Sequence, residues 1–204
     1  MTAAVVLAGC ASADQKRPEM KPAAVAPAPS APFAPAASAS PSSPANPAEV
    51  ATTNSVIRIN AGADASFTDS GGNVWFSDRG FTGGDVVVRA ADMHIANTKD
   101  AALYRTEHWG MDSFSQRLPN GKYVVKLHFA ETSPTIEGPG GRLFTFNVKG
   151  HEFRDFDVWV KAGGPRRAYI ETVNVEIADG ELDIAFEAVA DSPEINGIEI
   201  FAAP

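Results

Sequence analysis

Short segments in which apolar and polar residues alternate follow one another along the chain from residue 56 onward. In the clearest of them, Tyr123–Ala130, every second residue from Tyr123 to Phe129 is large and apolar. A period of two places one face of a β-strand against a core. Similar patterns predict strands at 56–60, 86–88, 143–149, 153–160, 169–177, 182–188 and 195–201. Helical periodicity is limited to one turn near 90–93, so the pattern predicts an all-β fold.

Turn-forming residues separate the predicted strands. Asn120-Gly121, before the clearest strand, predicts a tight hairpin because Asn and Gly tolerate positive φ angles. The run 138–141 also predicts a hairpin turn, and Gly83-Gly84 predict an irregular stretch. Many short strands bounded by such signals are typical of a β-sandwich or a β-barrel.

One segment before the clearest strand is rich in aromatic and charged residues. The segment 103–112 contains Tyr104, Glu107, His108 and Trp109. Aromatic rings interleaved with charges, on a loop beside a rigid strand, are typical of a binding rim. The alternative is that Tyr104 and Trp109 cap the edge of the core, and the residues alone leave both interpretations open.

Composition divides the chain into two parts. Nine of the fifteen prolines lie between Pro18 and Pro47, in a run of Ala, Pro and Ser with almost no large apolar residue. Such a run cannot bury enough surface to offset its ordering entropy. We therefore predict a disordered linker at 11–54 and a folded domain at 55–204, which is long enough for a single core.

The net charge of −8 belongs to the predicted domain, because three basic and three acidic side chains precede residue 55. The domain contains no cluster of Lys and Arg residues. An acidic domain without a basic patch argues against nucleic acid or an anionic membrane surface as a partner.

The single cysteine, Cys10, excludes an internal disulfide and a cysteine-based zinc site. It ends an apolar stretch in the string Leu7-Ala8-Gly9-Cys10, directly before polar residues. This string resembles the lipobox of bacterial lipoproteins, which implies that residues 1–10 end a signal and that Cys10 carries the lipid. The stretch is short and lacks a basic start, so we expect the signal to begin upstream of Met1. The alternative is an untargeted tail with an incidental cysteine.

A second resemblance covers nearly all of residues 56–201. Its motifs follow one another in family order: Ile59-Asn60-Ala61-Gly62, Gly72-Asn73-Val74-Trp75, Phe81-Thr82-Gly83-Gly84, Tyr104-Arg105-Thr106-Glu107-His108-Trp109, Leu127-His128-Phe129-Ala130-Glu131 and Ile195-Asn196-Gly197-Ile198-Glu199. In this order they resemble the malectin domain, a carbohydrate-binding jelly roll related to galactose-binding-like domains. The resemblance implies a two-sheet antiparallel β-sandwich that binds gluco-oligosaccharides at one end and performs no catalysis.

The ligand-binding residues of the family match this sequence in part. The position of a ligand-stacking aromatic in animal malectin is Trp109 here, and an acidic ligand-binding residue before the last strand matches Asp191. An aromatic pair that follows Phe-Ala-Glu in the family is replaced by Thr132, Ser133 and Pro134, and a further family tyrosine has no counterpart. We therefore expect a groove that is open on this side, and we do not transfer the glucose-disaccharide specificity of animal malectin.

Physical chemistry favours the same residues as a sugar site. The rigid indole of Trp109 offers a flat apolar face to a pyranose ring, and the carboxylate of Asp191 accepts hydrogen bonds from hydroxyl groups. Tyr104, Glu107 and Glu131 are further candidates for sugar binding. The two glutamates would serve equally well as buried carboxylates that tie loops to strands.

Other kinds of chemistry have little support in the sequence. No HExxH or GxSxG motif occurs, and the spacing of the histidines does not suit a metal. Asp155 and Asp157 share a predicted strand face, which usually indicates a solvated surface rather than a catalytic pair. Trp75 and Trp159 lie in or beside alternating patterns and are predicted to be core residues. No cofactor is expected. The sequence leaves open whether a structural calcium ion binds in an Asp-lined loop.

Together these features predict a noncatalytic carbohydrate-binding module, held by a lipid at Cys10 on a membrane of the bacterial cell envelope, at the outer membrane or in the periplasm. Its expected partners are a glycan and, through the lipid alone, a membrane. An envelope adapter whose sandwich binds a protein is the main alternative, and a glycoside-active enzyme is a more distant one.

Replacement of the predicted lipid attachment site tests the anchoring hypothesis. In the native host and with the natural upstream start, Cys10→Ala is expected to move the protein from the membrane fraction to the soluble fraction. The physical reason is that stable anchoring requires more than one acyl chain, and the variant would carry none. Cell fractionation measures the shift, and circular dichroism should show an unchanged fold. An unmodified N-terminus in a mass spectrum of the native protein would contradict the hypothesis.

Overall fold

The strands of residues 56–203, the part of the chain that this computed structural model describes, form an antiparallel β-sandwich. A short 3-10 helix, Leu103–Arg105, and one α-helix, α1 (Val158–Ala162), complete the regular structure of these residues. In chain order the strands are β1 (Val56–Asn60), β2 (Phe67–Thr68), β3 (Val74–Trp75), β4 (Phe81–Val88), β5 (Thr106–Arg117), β6 (Gly121–Phe129), β7 (Leu143–Val148), β8 (His151–Phe156), β9 (Tyr169–Ile177), β10 (Glu181–Ala190), β11 (Glu194–Ile195) and β12 (Gly197–Ala202). The predicted signal at 1–10, with Cys10, and the predicted linker at 11–54 lie outside the described residues.

Two sheets face each other across the core. The smaller sheet has four strands in the order β1-β12-β6-β9, and the larger has the order β11-β5-β10-β7-β8, with β4 also paired to β5. β2 and β3 form a separate two-stranded ribbon. Every pairing between these strands is antiparallel. The predicted all-β, two-sheet antiparallel sandwich is therefore confirmed.

The core between the sheets is rich in aromatic rings. Phe129 on β6 lies 6.2 Å from Phe144 and 5.9 Å from Phe146, both on β7, between ring centroids. Phe156, at the end of β8, lies 5.0 Å from the same ring. Burial of one such side chain stabilises the fold by about 1.5–3 kcal/mol. This cluster therefore holds the smaller sheet against the larger one.

The first and last strands of the domain are neighbours. β1 pairs with β12 from Val56, opposite Phe201, to Asn60, opposite Gly197. The chain therefore enters and leaves the described domain at adjacent positions.

Alternation locates strands well where one face is buried and the other is polar. The predicted strand at 169–177 matches β9 at both ends. Val173, Val175 and Ile177 on this strand are buried, whereas Asn174 and Glu176 between them are exposed. The sequence signal and the burial pattern coincide here because this strand lies on the core along one face only.

Two predicted hairpin turns are wrong. The turn at 120–121 joins β5 to β6, and the turn at 138–141 lies between β6 and β7, so each connection crosses from one sheet to the other. A tight turn shows where the chain changes direction but not which sheet the next strand joins. Lys149-Gly150 does close a hairpin, between β7 and β8, with φ angles of 47° and 92°, as a type I′ turn requires.

Two stretches that were expected to be irregular are strands. The segment 103–112, predicted as a loop, consists of the 3-10 helix followed by the start of β5, and Gly83 and Gly84 lie inside β4. β4 pairs with β5 along its length, with a bulge between Thr82 and Gly83. Alternation did not reveal these strands because glycines interrupt one of them and charged residues occupy buried positions of the other.

The predicted strand at 153–160 is wrong in its second half. β8 ends at Phe156 and α1 follows. The carboxylate of Asp157 accepts a hydrogen bond from the N–H of Val160 at 3.0 Å and so caps the helix. Asp155 and Asp157 therefore do not share a strand face. No helix in the described part of the chain is long and apolar enough to cross a membrane.

A buried histidine links β5 to the residues before and within β4. Nδ1 of His108 lies 3.1 Å from Oδ1 of Asp78, and its Nε2 lies 2.9 Å from the carbonyl oxygen of Gly83. Both ring nitrogens face acceptors, so both donate when the ring is an imidazolium. Burial would lower the pKa of His108, but the bonds to Asp78 and Gly83 outweigh burial and raise that pKa above its usual value.

His108 should make the stability of the domain depend on pH. A base whose pKa is raised by folding stabilises the fold fully below its unfolded value of about 6.5 and loses this contribution as pH rises through the folded pKa. The free energy of unfolding should therefore fall as pH rises above about 6.5, and His108→Gln should flatten this slope. Urea unfolding at a series of pH values measures the effect. His151→Gln, at an exposed histidine, is the matched control, and an equal slope in His108→Gln would contradict the assignment.

Candidate functional site

An open groove lies at one end of the sandwich, where the larger sheet meets the chain segments that follow β6 and β10. Its volume is about 270 Å³. Its lining comes from four separate parts of the chain: Val87, Arg89, Glu107, Trp109, Ser133, Thr135, Arg142 and Asp191. The surface, called the Trp109 groove below, therefore brings together the two residues that the family resemblance indicated, Trp109 and Asp191.

Trp109 stands on a strand rather than on a loop. It belongs to β5, and 37% of the residue is exposed. β4 approaches it closely: a Cβ atom at Gly84, which has a φ of 79°, would lie 2.4 Å from the carbonyl oxygen of Trp109. Only glycine fits this position. The close pairing fixes the backbone beneath the indole, so the ring is presented on a rigid support.

Asp191 reaches the groove from the loop between β10 and β11. This loop is fastened to β5, because the N–H of Gly110 donates to the carbonyl oxygen of Pro193 at 2.8 Å. Asp191 has a positive φ of 61°, which Asp and Asn adopt more readily than most residues. Its Oδ1 accepts a hydrogen bond from the N–H of Ser192 at 2.5 Å. Its Oδ2 has no hydrogen-bond partner among residues 56–203 and can accept from a ligand.

Charged side chains are buried beneath the groove in two groups. In the first, Arg89 donates to Oε1 of Glu107 and to Oγ1 of Thr132, at 3.0 Å in each case. Thr132 donates in turn to Oε2 of Glu107 at 2.6 Å. Both oxygens of Glu107 are therefore engaged within the protein, and the three side chains tie β5 to the segments that follow β4 and β6.

Arg142 organises the second group. Its Nε donates to Glu131 at 2.8 Å, and its Nη1 donates to the carbonyl oxygen of Ser192 and lies 3.8 Å from Oδ1 of Asp191. Glu131 also accepts a hydrogen bond from the N–H of Ser133 at 2.8 Å. Burial would lower the pKa of Arg142, but the surrounding carboxyl groups raise it, so the guanidinium stays charged. Arg142 therefore joins the segment after β6 to the Asp191 loop.

Glu194 is the third buried carboxyl group of this region and is 1% exposed. Neither of its oxygens has a hydrogen-bond partner in the described part of the chain. Burial, together with repulsion from Glu107 and Glu131, raises the pKa of Glu194 well above its usual value, against the attraction of Arg142 and Arg89. Arg89, Glu107, Glu131, Arg142 and Glu194 are together called the charge cluster below. In it, two guanidinium groups face three carboxyl groups.

Four of the residues predicted to bind sugar lie at or beside the groove. Trp109, Asp191 and Glu107 line it. Glu131 is 1% exposed and supports Arg142 from the interior without lining the groove. Glu107 and Glu131 both act as buried carboxylates that connect loops and strands, which was the alternative expectation for them.

Tyr104 lies away from the groove. It is 3% exposed and belongs to a small core cluster with Trp75, Ile95 and Leu103. Its hydroxyl lies 2.8 Å from Nδ1 of His128, and burial raises the pKa of Tyr104. The structure therefore places Tyr104 in the core, next to Trp75, which is a core residue as predicted.

In the loop at 69–73, which was the kind of Asp-containing loop considered for calcium, the carboxylate of Asp69 accepts hydrogen bonds from the protein itself. Asp69 accepts from the N–H groups of Gly71 and Asn73 and from Nε1 of Trp75, at 2.8–2.9 Å. Burial would raise the pKa of Asp69, but these hydrogen bonds, that of Trp75 first, lower it to about 2. Within residues 56–203, no group of three or more His, Cys, Asp or Glu side chains could hold a metal ion.

Sequence reasoning did not find Arg89, Arg142 or Glu194. Each arginine stands singly near a strand end, and no local pattern distinguishes it from a solvent-exposed arginine. Glu194 had a weak signal, because it directly precedes the apolar residues of the last strands. These residues come from separate segments and meet only in the folded protein.

The raised pKa of Glu194 has a measurable consequence. A carboxyl group whose pKa is raised by folding lowers stability progressively as pH rises from its unfolded value of about 4.3, because the unfolded chain releases the proton first. Glu194→Gln cannot ionise. Its free energy of unfolding should therefore decline less steeply than that of the parent between about pH 5 and pH 7, as measured by urea unfolding.

Glu131→Gln is the matched comparison, because it removes the negative charge that pairs with Arg142. It is expected to lower the free energy of unfolding by about 3 kcal/mol, the usual effect of leaving a buried charge uncompensated. Identical pH slopes in the parent and in Glu194→Gln would show that Glu194 is ionised in the folded protein.

Sequence comparison relates the chain to known proteins. The family model of the Malectin domain matches residues 55–198. The kinesin-like protein KIN-14R of Arabidopsis thaliana is 30% identical over 158 residues, which span 75% of this chain and 14% of the relative. Receptor-like protein 4 of the same plant is 34% identical over 85 residues, or 41% of this chain and 14% of the relative. The chain thus spans about a seventh of the length of these relatives.

Solved structures with low sequence identity share the fold. A β-glucuronidase of Bacteroides uniformis superposes with a TM-score of 0.65 at 20% identity, over 73% of this chain and 18% of that chain. The plant receptor-like kinase FER gives a TM-score of 0.64 at 20% identity, over 73% of this chain and 49% of that chain. The family match over residues 55–198, on the sandwich described above, shows that this chain belongs to the malectin domain family and carries a carbohydrate-binding-like or extracellular binding domain.

Proposed function

We propose that the domain is a noncatalytic carbohydrate-binding module whose Trp109 groove binds an oligosaccharide or a segment of a polysaccharide, with glucans as the expected class. The observation that carries the proposal is the exposed indole of Trp109 beside the carboxylate of Asp191 on one rigid, open groove. Membership of the malectin domain family supports the same function.

The groove offers a sugar both kinds of contact that it needs. The indole of Trp109 can stack on the C–H face of a pyranose ring. Oδ2 of Asp191 can accept hydrogen bonds from hydroxyl groups, and Ser133 and Thr135 add hydroxyls to the lining of the groove. Because the charge cluster holds the surrounding loops through hydrogen bonds inside the protein, little ordering accompanies binding. A neutral ligand rich in hydroxyl groups fits this mixture of donors and acceptors.

The carboxyl groups around the groove favour a structural role over glycoside hydrolysis. A glycosidase needs a proton-donating carboxyl group and a second carboxylate, both beside the bond to be cleaved. Both oxygens of Glu107 are engaged by Arg89 and Thr132, and Glu194 does not line the groove. Asp191 is the one lining carboxylate of the described residues with an oxygen free for ligand. This arrangement supports binding without catalysis.

We also propose that the module is anchored to a membrane of the bacterial envelope through a lipid on Cys10. The string that ends at Cys10 and the Ala/Pro/Ser-rich run at 11–54 support this proposal. A flexible linker of that length has an end-to-end distance of about 35 Å. The groove would then sample glycans well beyond the anchor point.

Binding of a protein partner is the second candidate function. A plant structure of the same fold, FER in complex with the peptide RALF23 and LLG2, matches with a TM-score of 0.64 at 19% identity. An exposed indole beside a carboxylate would also suit a peptide with a basic side chain. Titration with a pure saccharide separates the two candidate functions, because it measures glycan binding and not peptide binding.

Substitution of the two ligand-facing residues tests the proposed function. Glucose disaccharides and their longer homologues, titrated calorimetrically into the full chain, are expected to bind with a Kd between about 1 mM and 1 μM, as open sites commonly do. Trp109→Ala should weaken binding about thirtyfold, or about 2 kcal/mol, because it removes the stacking platform. Asp191→Asn keeps the backbone geometry and should cost about 1.5–3 kcal/mol through lost charge-assisted hydrogen bonds.

Phe76→Ala is the matched control for the loss of an exposed aromatic ring, because Phe76 is 41% exposed and lies outside the groove. Circular dichroism must show that all variants are folded. Undiminished glycan binding by folded Trp109→Ala would contradict the assignment of the groove. Binding of a basic peptide without binding of any glycan would favour the adapter function.

A further inference from the structure

A second groove lies beside the Trp109 groove. It has a volume of about 330 Å³, and its lining includes Thr132, Ser133, Pro134, Glu137, Trp159 and Arg166. Ser133 lines both grooves. The segment 132–135 is therefore a ridge of short side chains with one groove on each side, and the second surface is called the Trp159 groove below.

This ridge is the place where the sequence lacks an aromatic pair. Thr132, Ser133 and Pro134 follow Glu131 there, and none of them has a ring that could stack on a sugar face. Trp159 lines the groove beside the same three residues but comes from α1, far along the chain. An aromatic platform is thus present next to the ridge, although the ridge itself supplies none.

The helix α1 holds Trp159 in a fixed orientation. Asp157 caps the helix through Oδ1, and its Oδ2 accepts a hydrogen bond from the N–H of Gly140 at 2.7 Å. The helix is therefore tied to the segment between β6 and β7. Val158 and Ala162 of the same helix are buried. Because these two side chains are turned inward, Trp159, which lies between them in the helix, faces the groove.

The environment of Trp159 differs from that of a core tryptophan. Trp75 is 3% exposed, and its indole N–H donates to Asp69 at 2.9 Å. Trp159 is half-buried and lines a groove, and its N–H has no acceptor among residues 56–203. The prediction that Trp159 is a core residue is therefore wrong, because a helical turn, rather than a strand, sets its direction.

Charged side chains line the Trp159 groove together with the indole. Glu137 and Arg166 come from two different segments and supply an acceptor and a donor. The backbone at Arg166 is fixed, since its N–H donates to the carbonyl oxygen of Glu131 at 2.8 Å and its carbonyl oxygen accepts from the N–H of Ala96 at 2.8 Å. Like the Trp109 groove, this surface combines one indole with hydrogen-bonding groups on an ordered frame.

We propose that the Trp159 groove is a second subsite for the same glycan, with Trp159 as its stacking platform. A linear oligosaccharide would cross the ridge at Ser133, with one sugar ring on Trp109 and a more distant ring on Trp159. The inference rests on the proposed function of the Trp109 groove and adds a property to it. The proposed ligand class is an oligosaccharide long enough to contact both indoles at once.

Chain-length dependence of binding tests the second subsite. The full chain is titrated calorimetrically with maltose and maltohexaose, and with laminaribiose and laminarihexaose. In the series that binds, the hexasaccharide should bind about tenfold more tightly than the disaccharide. Trp159→Ala should remove this advantage and leave disaccharide affinity unchanged. Trp109→Ala should weaken both ligands. Val160→Ala, at a residue of α1 that is 59% exposed, is the matched control and should change neither affinity.

A fluorescence measurement keeps the test decisive if Trp159→Ala fails to fold. In Trp109→Phe, the hexasaccharide should shift the emission of Trp159, and the disaccharide should not. The same shift should be missing in the double variant Trp109→Phe/Trp159→Phe, where only Trp75 remains.

Other outcomes would overturn the second subsite, the proposed function or the proposed ligand class. Unchanged hexasaccharide affinity in folded Trp159→Ala, or an unshifted Trp159 emission, would overturn the second subsite and leave the Trp109 groove intact. Equal losses for both chain lengths in Trp159→Ala would place Trp159 in the first subsite and overturn the proposal as well. Unchanged affinities in folded Trp109→Ala would overturn the proposed function itself. A parent protein that binds neither series would overturn the proposed glucan ligand and, with it, the second subsite.

Discussion

The binding end of this domain depends on the balance of buried charge around Arg142. This guanidinium bonds to Glu131 and to the carbonyl oxygen of Ser192 at the same time. Removal of Glu131 would leave the buried guanidinium uncompensated, an effect of about 3–5 kcal/mol. This is a large share of the roughly 5–15 kcal/mol that stabilises a typical domain. Glu194 belongs to the same cluster, and burial together with repulsion from Glu107 and Glu131 raises its pKa. The loops on both sides of the groove are therefore held by interactions inside the protein, and they keep their positions before any ligand arrives.

The sequence predicted those parts of the fold whose signal is local. β9 was found at both ends because Val173 and its apolar neighbours alternate with exposed polar residues. The meeting of Trp109 and Asp191 is not local, since it depends on the pairing of β11 with β5, in which Glu194 lies opposite Trp109. The family resemblance indicated both residues, and no argument from spacing could have done so.

The features that sequence reasoning missed share a physical cause: in each, a tertiary contact overrides the local pattern. Residues Glu107 and His108 are adjacent, charged in character and buried, because Arg89 and Asp78 reach them from other segments. Alternation cannot detect such a strand. The direction of Trp159 is set by a single helical turn, which Asp157 caps, in a segment whose apolar spacing also fits a strand. Single-turn elements of this kind carry too few residues for periodicity to identify them.

The pairing of β1 with β12 determines how the module can be built into a larger protein. Val56 lies opposite Phe201 at one end of these strands, whereas Asn60 and Gly197 lie at the end nearest β11 and the groove. Four residues of extended strand separate the two ends by about 13 Å. The described chain therefore enters and leaves the domain side by side, at the end of β1 and β12 away from the groove. A unit with adjacent ends can be placed within a long polypeptide without separating the parts that flank it. This geometry agrees with the occurrence of related sequences as about a seventh of kinesin-like and receptor-like proteins.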